Sequence, residues 1–524
     1  MTDPWPLVAG LLLGLFPRLV LDRDGRRRPI VARAAWVAAV ASLVLQAART
    51  QVNDDEVFYL ADAWAARNGE TVGSLPMRYM AFLAFLLPPW PPSWALVAGR
   101  VAVAVAAVLG ALAVVHLVRR LSGRPGDASL AGALTLLWLA TQAEAAVLRP
   151  EQLAAAGVLL AIVLLLAPPA AWSRNVVVGG GFLLLTLAAS LSHRRMPLLP
   201  AAAVILLGQD RREDRAPDLL RIAAGTALGA LPSLAYVAAR DSIGAIWYWN
   251  WTFVRERSWV PGGGLAFRVP VFLTLFGLAG AAATLWPRPQ ARGATVLAAF
   301  WAVLTALAFL VPFTLNYALG PWIALSLALV ALMASREGPA EPRARQRVHA
   351  LAVGVLGLAP LLGSGVIDPS PTHVGSELAL IDWLYETARG GKVMCVSPFH
   401  PIKAGNAWRL WNAWWYCYLK DPAFNRRLNP RLAESLRTGE ARLIEWDPWP
   451  NGSSYRNVLA YAVANGFLTR DDARTVALGL RKDYRLVRWD RPLPPGFGGG
   501  RFLVPRDLPL DSRVVVLPDQ RIAP

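Results

Sequence analysis

The sequence predicts a polytopic α-helical membrane protein of about 11–12 spans with a C-terminal external α/β domain. Three observations carry this. The 524 residues are 55% hydrophobic and 17% charged, with mean hydropathy +0.39, whereas a water-soluble domain carries about a quarter charged residues. Apolar runs of helical length succeed one another as far as residue 366, separated by short basic turns. Beyond 367 the charge rises and turn formers recur. This balance excludes a disordered chain or a fibre, and two cysteines exclude a disulfide scaffold. The formal charge of +18 suggests nucleic acid, but the basic residues sit in clusters between apolar runs. That is how a multi-span protein is oriented, so no nucleic-acid partner is expected.

The runs lie near 30–48, 93–118, 127–147, 151–167, 176–192, 197–208, 218–239, 268–286, 294–313, 317–334 and 347–366. A hydrocarbon core about 30 Å thick needs roughly 20 apolar residues per helix, fewer where a span is short. A further run, 6–20, either spans or lies at the interface. Met1–Pro6 has no basic residue, so a signal peptide is not expected there. Arg26–Arg28, Arg119, Arg120 and Arg124, Arg174, Arg211, Arg212 and Arg215, Arg288 and Arg292, and Arg336, Arg343, Arg345 and Arg347 all fall on one side of a strictly alternating topology. By the positive-inside rule that side is cytoplasmic.

Residues 49–92 and the region after 367 are then external. Segment 49–92 opens on acids and continues Val57, Leu60, Ala61, Trp64, a spacing that puts one apolar stripe on a helix along the membrane surface. A second external segment, 240–268, is rich in tryptophan. The chain therefore divides into a membrane domain, 1–367, and an external domain, 368–524, large enough for a core of its own. In the tail the pattern predicts helix over 376–388, strand over 391–397, helix near 430–438 and 455–481, and strands near 484–489 and 513–517.

Ionisable groups at membrane depth, or on the side the charge rule depletes, are functional candidates. Asn53-Asp54-Asp55-Glu56 stands at the outer end of the 30–48 run. Adjacent acids repel, which raises the pKa of at least one, and neighbours on a helix do not share a face. A helix cap accounts for one acid well and for three poorly. Arg149 and Glu151 lie in an external turn, and Glu144 precedes them within about one helical turn of the outer surface. They either form an ion pair closing a hairpin or serve a site. Ser192-His193-Arg194-Arg195 also falls outside, at the head of the short 197–208 run. Cations there suit a phosphate, to which arginine donates two hydrogen bonds at once. Asn316-Tyr317 and Arg255-Glu256-Arg257 are external and individually weaker signals.

No phosphate-binding glycine loop, dinucleotide fingerprint, HExxH or paired CxxC occurs. Cys395 and Cys417 both fall in the external domain, where a disulfide is permitted; their spacing leaves the bond open. The aromatic stretch Trp408–Tyr416 reads as packing or as a sugar-stacking surface.

Asp55-Glu56-Val57-Phe58-Tyr59 matches the Asp-Glu-x-x-Tyr opening of the first external loop in the GT-C superfamily of polyprenyl-phosphate-dependent glycosyltransferases. Arg149-Pro150-Glu151 resembles the arginine-containing entry to a middle span of the same proteins, and Asn316-Tyr317-Ala318-Leu319-Gly320-Pro321 resembles a late span. Ile381-Asp382-Trp383-Leu384, with Gly391 to His400-Pro401, resembles the soluble domain of bacterial members. The chain as a whole resembles the family 39 and aminoarabinose-transferase-like branch. The resemblance implies an integral membrane glycosyltransferase of a bacterial inner membrane, with its C-terminal domain extracytoplasmic. Such an enzyme takes a sugar from a polyprenyl-phosphate donor and inverts at the anomeric carbon. Asp55 would be the general base, with Asp54 as its rival, and Glu56 would orient the acceptor or the base. Arg149, His193, Arg194 and Arg195 would receive the lipid phosphate. Tyr59, Glu144, Glu151 and Tyr317 would position donor or acceptor. No cofactor is required, although Asp54, Asp55 and Glu56 together with Glu144 make an oxygen-rich set that admits a divalent cation. The acceptor is a glycan, lipid or protein hydroxyl. A secondary transporter or exporter of an anionic or lipid-linked substrate is the alternative. It would want charges at the midplane and two related halves, whereas here the unusual charges gather at one face.

Overall fold

The computed structural model describes residues 36–37, 39–40, 43, 52, 56, 91–122, 125–141, 147–192, 195–209, 212–240, 296–304, 320–334, 374–388, 392–394, 441–447, 457–464, 468–493, 500–518 and 522. They fall in two compact units: Met1–Ala48, Arg100–Ala235 and Trp259–Pro369, and Arg49–Gly99, Tyr236–Ser258 and Ser370–Pro524. Of residues 49–92, which the sequence places with the membrane domain, only 52, 56, 91 and 92 are described.

The first unit is helical. Its helices are α1 (Pro92–Ser122, which begins in the second unit), α2 (Pro125–Thr141), α3 (Pro150–Leu166), α4 (Arg174–Leu191), α5 (Leu198–Gln209), α6 (Arg215–Arg240) and α7 (Gly320–Ala334). They occupy the runs predicted from 93 to 239 and at 317–334. The runs at 6–20, 268–286 and 347–366 lie outside the described residues. Among the described residues, Pro92–Leu121 and Arg174–Leu191 are long and apolar enough to cross a membrane, and Pro150–Leu166 and Leu198–Gly208 are shorter apolar helices. Trp36 Nε1 donates to the Ser129 carbonyl at 3.1 Å, and Ala39 and Leu43 pack on Ala107, Ala111, Leu136 and Leu139. In the segment 296–304, Trp301 donates to Ser326 Oγ of α7 at 2.9 Å.

Small residues set the helix pairing. Gly157 of α3 faces Ala188 and Leu184 of α4, and Gly181 faces Leu165. As one index rises the other falls, so α3 and α4 are antiparallel. Gly225 of α6 meets the Gly179 backbone of α4, and Gly229 meets Leu183 and Thr186. Here the indices rise together, so α4 and α6 are parallel. Gly225 and Gly229 form a small-xxx-small pair that lets the two backbones touch. At the start of these helices Asp218, fully buried, accepts from Arg174 Nε at 2.9 Å and is also paired with Arg221. Arg221 Nε in turn donates to Asn175 Oδ1 at 2.6 Å.

Gly225→Val should therefore be poorly tolerated. Its Cβ would run into the Gly179 carbonyl, and such overpacking costs about 1–3 kcal/mol or more. Gly208, where an added Cβ would meet nothing within 4 Å, is the control. Thermal unfolding of both variants in nanodiscs checks this. Equal midpoints for Gly225→Val and Gly208→Val would refute the close contact.

The second unit contains a five-stranded sheet, β1 (Lys392–Met394), β2 (Ala441–Glu445), β3 (Tyr484–Trp489), β4 (Arg501–Pro505) and β5 (Val514–Val516), in the order β1-β2-β4-β3-β5. Among these strands only β1 and β2 are parallel. Alternation along the strands gives the sheet two apolar faces. Ile444, Leu486 and Leu503 pack on α9 (Val458–Ala464) and α10 (Arg470–Asp483). On the other face Trp383 of α8 (Val374–Ala388) lies 5.7 Å from the Trp489 ring and 5.5 Å from Phe502.

The tail departs from the sequence-based expectations in two respects. The helix expected over 455–481 is two, because Thr469 starts a second helix by accepting from Asp472 N at 3.1 Å. Strands β2 and β4 stand where none was predicted. Arg513, reaching both Asp511 and Glu386 of α8, ties the start of β5 to that helix. Its hydrogen bond holds the Asp511 carboxyl below the usual carboxylate range.

Candidate functional site

The described candidates stand at two places, one in each unit. In the first unit Arg149 occupies the N-cap position of α3 in an extended conformation, with Pro150 following at the first helical position and Glu151 in the first turn. Proline suits that place because its missing N–H would have had no partner in the helix. The Arg149 side chain does not cap the helix, and Arg149 is 7% exposed. Gln152 beside it is buried and Glu151 half-buried. Arg195 lies in the turn between α4 and α5, is 6% exposed, and its backbone N–H donates to the Ser192 carbonyl at 2.8 Å.

The antiparallel register of α3 and α4 brings these arginines to one end. Gly157 opposite Ala188 and Gly181 opposite Leu165, continued outward, set Arg149 level with the Ser192–Arg195 turn. Helix α5 starts at Leu198, immediately after that turn. Two buried guanidiniums and the N-termini of α3 and α5 thus share one end of the helical unit. Helix N-termini carry partial positive charge and N–H donors. The arrangement is suited to a phosphate.

In the second unit Glu56 is helical and fully buried, and Val52 is 4% exposed. Val52 N donates to Glu377 Oε2 of α8 at 2.7 Å. Asp382, also on α8, accepts from Ser93 N at 3.0 Å and from Ser93 Oγ at 2.6 Å. Neither Glu377 nor Asp382 was among the predicted site residues. The signal was present for one of them: Glu377 falls on the apolar stripe of Leu380, Ile381, Leu384 and Ala388, where an acid is out of place.

Asp54, Asp55, Tyr59, Glu144, His193, Arg194 and Tyr317 lie outside the described residues, as do Cys395, Cys417 and the 408–416 aromatics. Of the carboxylates suggested for a cation, only Glu56 is described. Among the described residues no three metal-ligating side chains gather.

No protein-family model and no curated protein matches the chain in sequence. Solved structures do match it in fold. ArnT from Cupriavidus metallidurans in the apo state superposes with a TM-score of 0.52 at 14% identity, covering 90% of this chain and 97% of its own. ArnT bound to undecaprenyl phosphate gives 0.51 at 14% identity, over 80% and 93%. An oligosaccharyltransferase from Archaeoglobus fulgidus, in complex with Zn and sulfate, gives 0.48 at 13% identity, over 93% and 74%. Correspondence with ArnT along nine-tenths of the chain is a correspondence of fold: this chain shares the fold of ArnT.

Proposed function

We propose that the protein is a multi-span inner-membrane glycosyltransferase that moves a sugar from a polyprenyl-phosphate donor to an acceptor hydroxyl on the extracytoplasmic face. The observation that carries this reading is the pair of buried arginines, Arg149 and Arg195, at the end of the helical unit shared by the N-termini of α3 and α5. ArnT, which has this fold, was crystallised bound to undecaprenyl phosphate. In the alternating topology that end faces outward, opposite the Arg174 and Arg212–Arg215 end.

In the reaction the acceptor oxygen attacks the anomeric carbon from the face opposite the phosphate. The bond from that carbon to the phosphate oxygen breaks, and the lipid phosphate leaves with the electron pair. Asp55 takes the acceptor proton. Arg149 and Arg195, joined by His193 and Arg194, meet the negative charge that grows on the leaving oxygen, where preorganised donors matter most. Inversion follows from a single displacement. The tail unit, residues 370–524, is extracytoplasmic in this reading, and acceptor and sugar are those the first external loop admits.

The test uses the full chain in nanodiscs with a panel of undecaprenyl-phosphate sugars, following release of undecaprenyl phosphate. Consumption of one donor with inversion in the product is the expected result. A panel that is neither consumed nor bound would overturn the reading.

A further inference from the structure

Two acids of α8 hold the two ends of the first external segment. Glu377, fully buried, accepts from Val52 N, and Asp382 accepts from both the backbone and the hydroxyl of Ser93. Ser93 belongs to the first turn of α1, whose N–H groups have no partner within the helix. A carboxylate from elsewhere in the chain therefore acts as its cap, with the sign the helix dipole favours.

Helix α8 is itself fastened to the sheet. Trp383 packs on Trp489 and Phe502, Trp489 Nε1 donates to Ser376 Oγ at 3.2 Å, and Arg513 bonds Glu386 Oε2 at 2.5 Å. Between the two held residues, at its very start, runs Asn53-Asp54-Asp55-Glu56. Val52 and Glu56, which bracket the two aspartates, are both buried. Asp55 follows Val52 by three positions, a reach of at most about 11 Å.

We infer that Glu377 and Asp382 are positioning residues: α8 of the tail unit clamps Val52 and Ser93 and so sets the acid segment in place for catalysis. This rests on the proposed function, in which Asp55 is the base. It gives the tail a role in the reaction beyond that of an appended domain. The clamp acts on kcat rather than on donor binding, because the residue it places is the base.

The experiment compares wild type with Glu377→Ala, Glu377→Gln, Asp382→Ala and Asp55→Asn, as full chains in nanodiscs. Hydrogen exchange is read on peptides covering 50–56 and 91–97, with 441–447 and 484–489 as the internal standard. The donor that the wild type consumes supplies kcat and KM. In Glu377→Ala, exchange at 50–56 should rise about tenfold while the sheet peptides stay protected. Its kcat should fall by about tenfold to a hundredfold, the cost of misplacing a catalytic group by roughly 1 Å, with KM unchanged. Glu377→Gln keeps an oxygen that accepts from Val52 N–H and should retain most of kcat. Asp382→Ala should raise exchange at 91–97.

Unchanged exchange at 50–56 in Glu377→Ala overturns the clamp. So does an unchanged kcat in that variant when Asp55→Asn is inactive, and so does equal loss of protection in the sheet for both Glu377 variants. Full activity in Asp55→Asn would instead overturn the catalytic reading, and the exchange arm would still decide whether α8 holds the segment.

Discussion

Asp55→Asn should abolish release of the lipid phosphate while leaving the protein folded and inserted. Asparagine keeps the size and one acceptor oxygen of aspartate but cannot take a proton at neutral pH. Removing a positioned general base costs about 10²–10⁴-fold in rate, and that loss should appear in kcat with little change in donor KM. Asp54→Asn distinguishes the neighbours. If Asp55 is the base, removing the adjacent charge lowers the pKa of Asp55, because like charges disfavour ionisation. The acid limb of the pH–rate profile should then move to lower pH without collapse of the rate. A profile collapsed by Asp54→Asn and only shifted by Asp55→Asn would exchange the two roles. Activity of both variants would remove the acid segment from the chemistry altogether.

Arg149→Ala and Arg195→Ala should each slow the reaction by about 10²–10³-fold, the usual cost of losing one preorganised donor to a developing oxyanion. Both side chains are buried at one end of the helical unit, so their effects are expected not to add. When two residues hold one phosphate, the second removal costs less than the first, and the coupling in a double-mutant cycle is about 0.5–3 kcal/mol. Lysine at either position keeps the charge but not the planar two-pronged donor, and should recover part of the rate. The measurement is kcat/KM for the four proteins, with binding of undecaprenyl phosphate alone as a second readout. Full additivity, or unaltered lipid-phosphate binding in the double variant, would separate the arginines from the phosphate.

The apolar helices were legible because membrane-length runs announce themselves without reference to anything distant. Helices α1, α3, α4 and α5 begin and end within a few residues of the apolar runs. Arg149 and Arg195 stand out as candidates for a related reason: a charge at the edge of an apolar run is conspicuous in one dimension. The tail was harder. Strands β2, Ala-Arg-Leu-Ile-Glu, and β4, Arg-Phe-Leu-Val-Pro, each hold a single β-branched residue, whereas the predicted β5 is a run of valines. The break between α9 and α10 depends on the hydroxyl of Thr469 capping α10, which an apolar periodicity does not register.

Local composition alone carries the number and length of the apolar runs and the residue types able to do the chemistry. Which of them meet is a matter of the folded chain. Glu377 reaches Val52 across 325 positions of chain, and Gly225 finds Gly179 through a close approach that only glycine allows. The α3–α4 register sets Arg149 level with the Arg195 turn. A hydrogen bond or a close backbone contact needs its partner within a few ångströms in space, and one-dimensional pattern carries no distance. The acid segment was visible from its own letters; the helix that holds Val52 beside it was not.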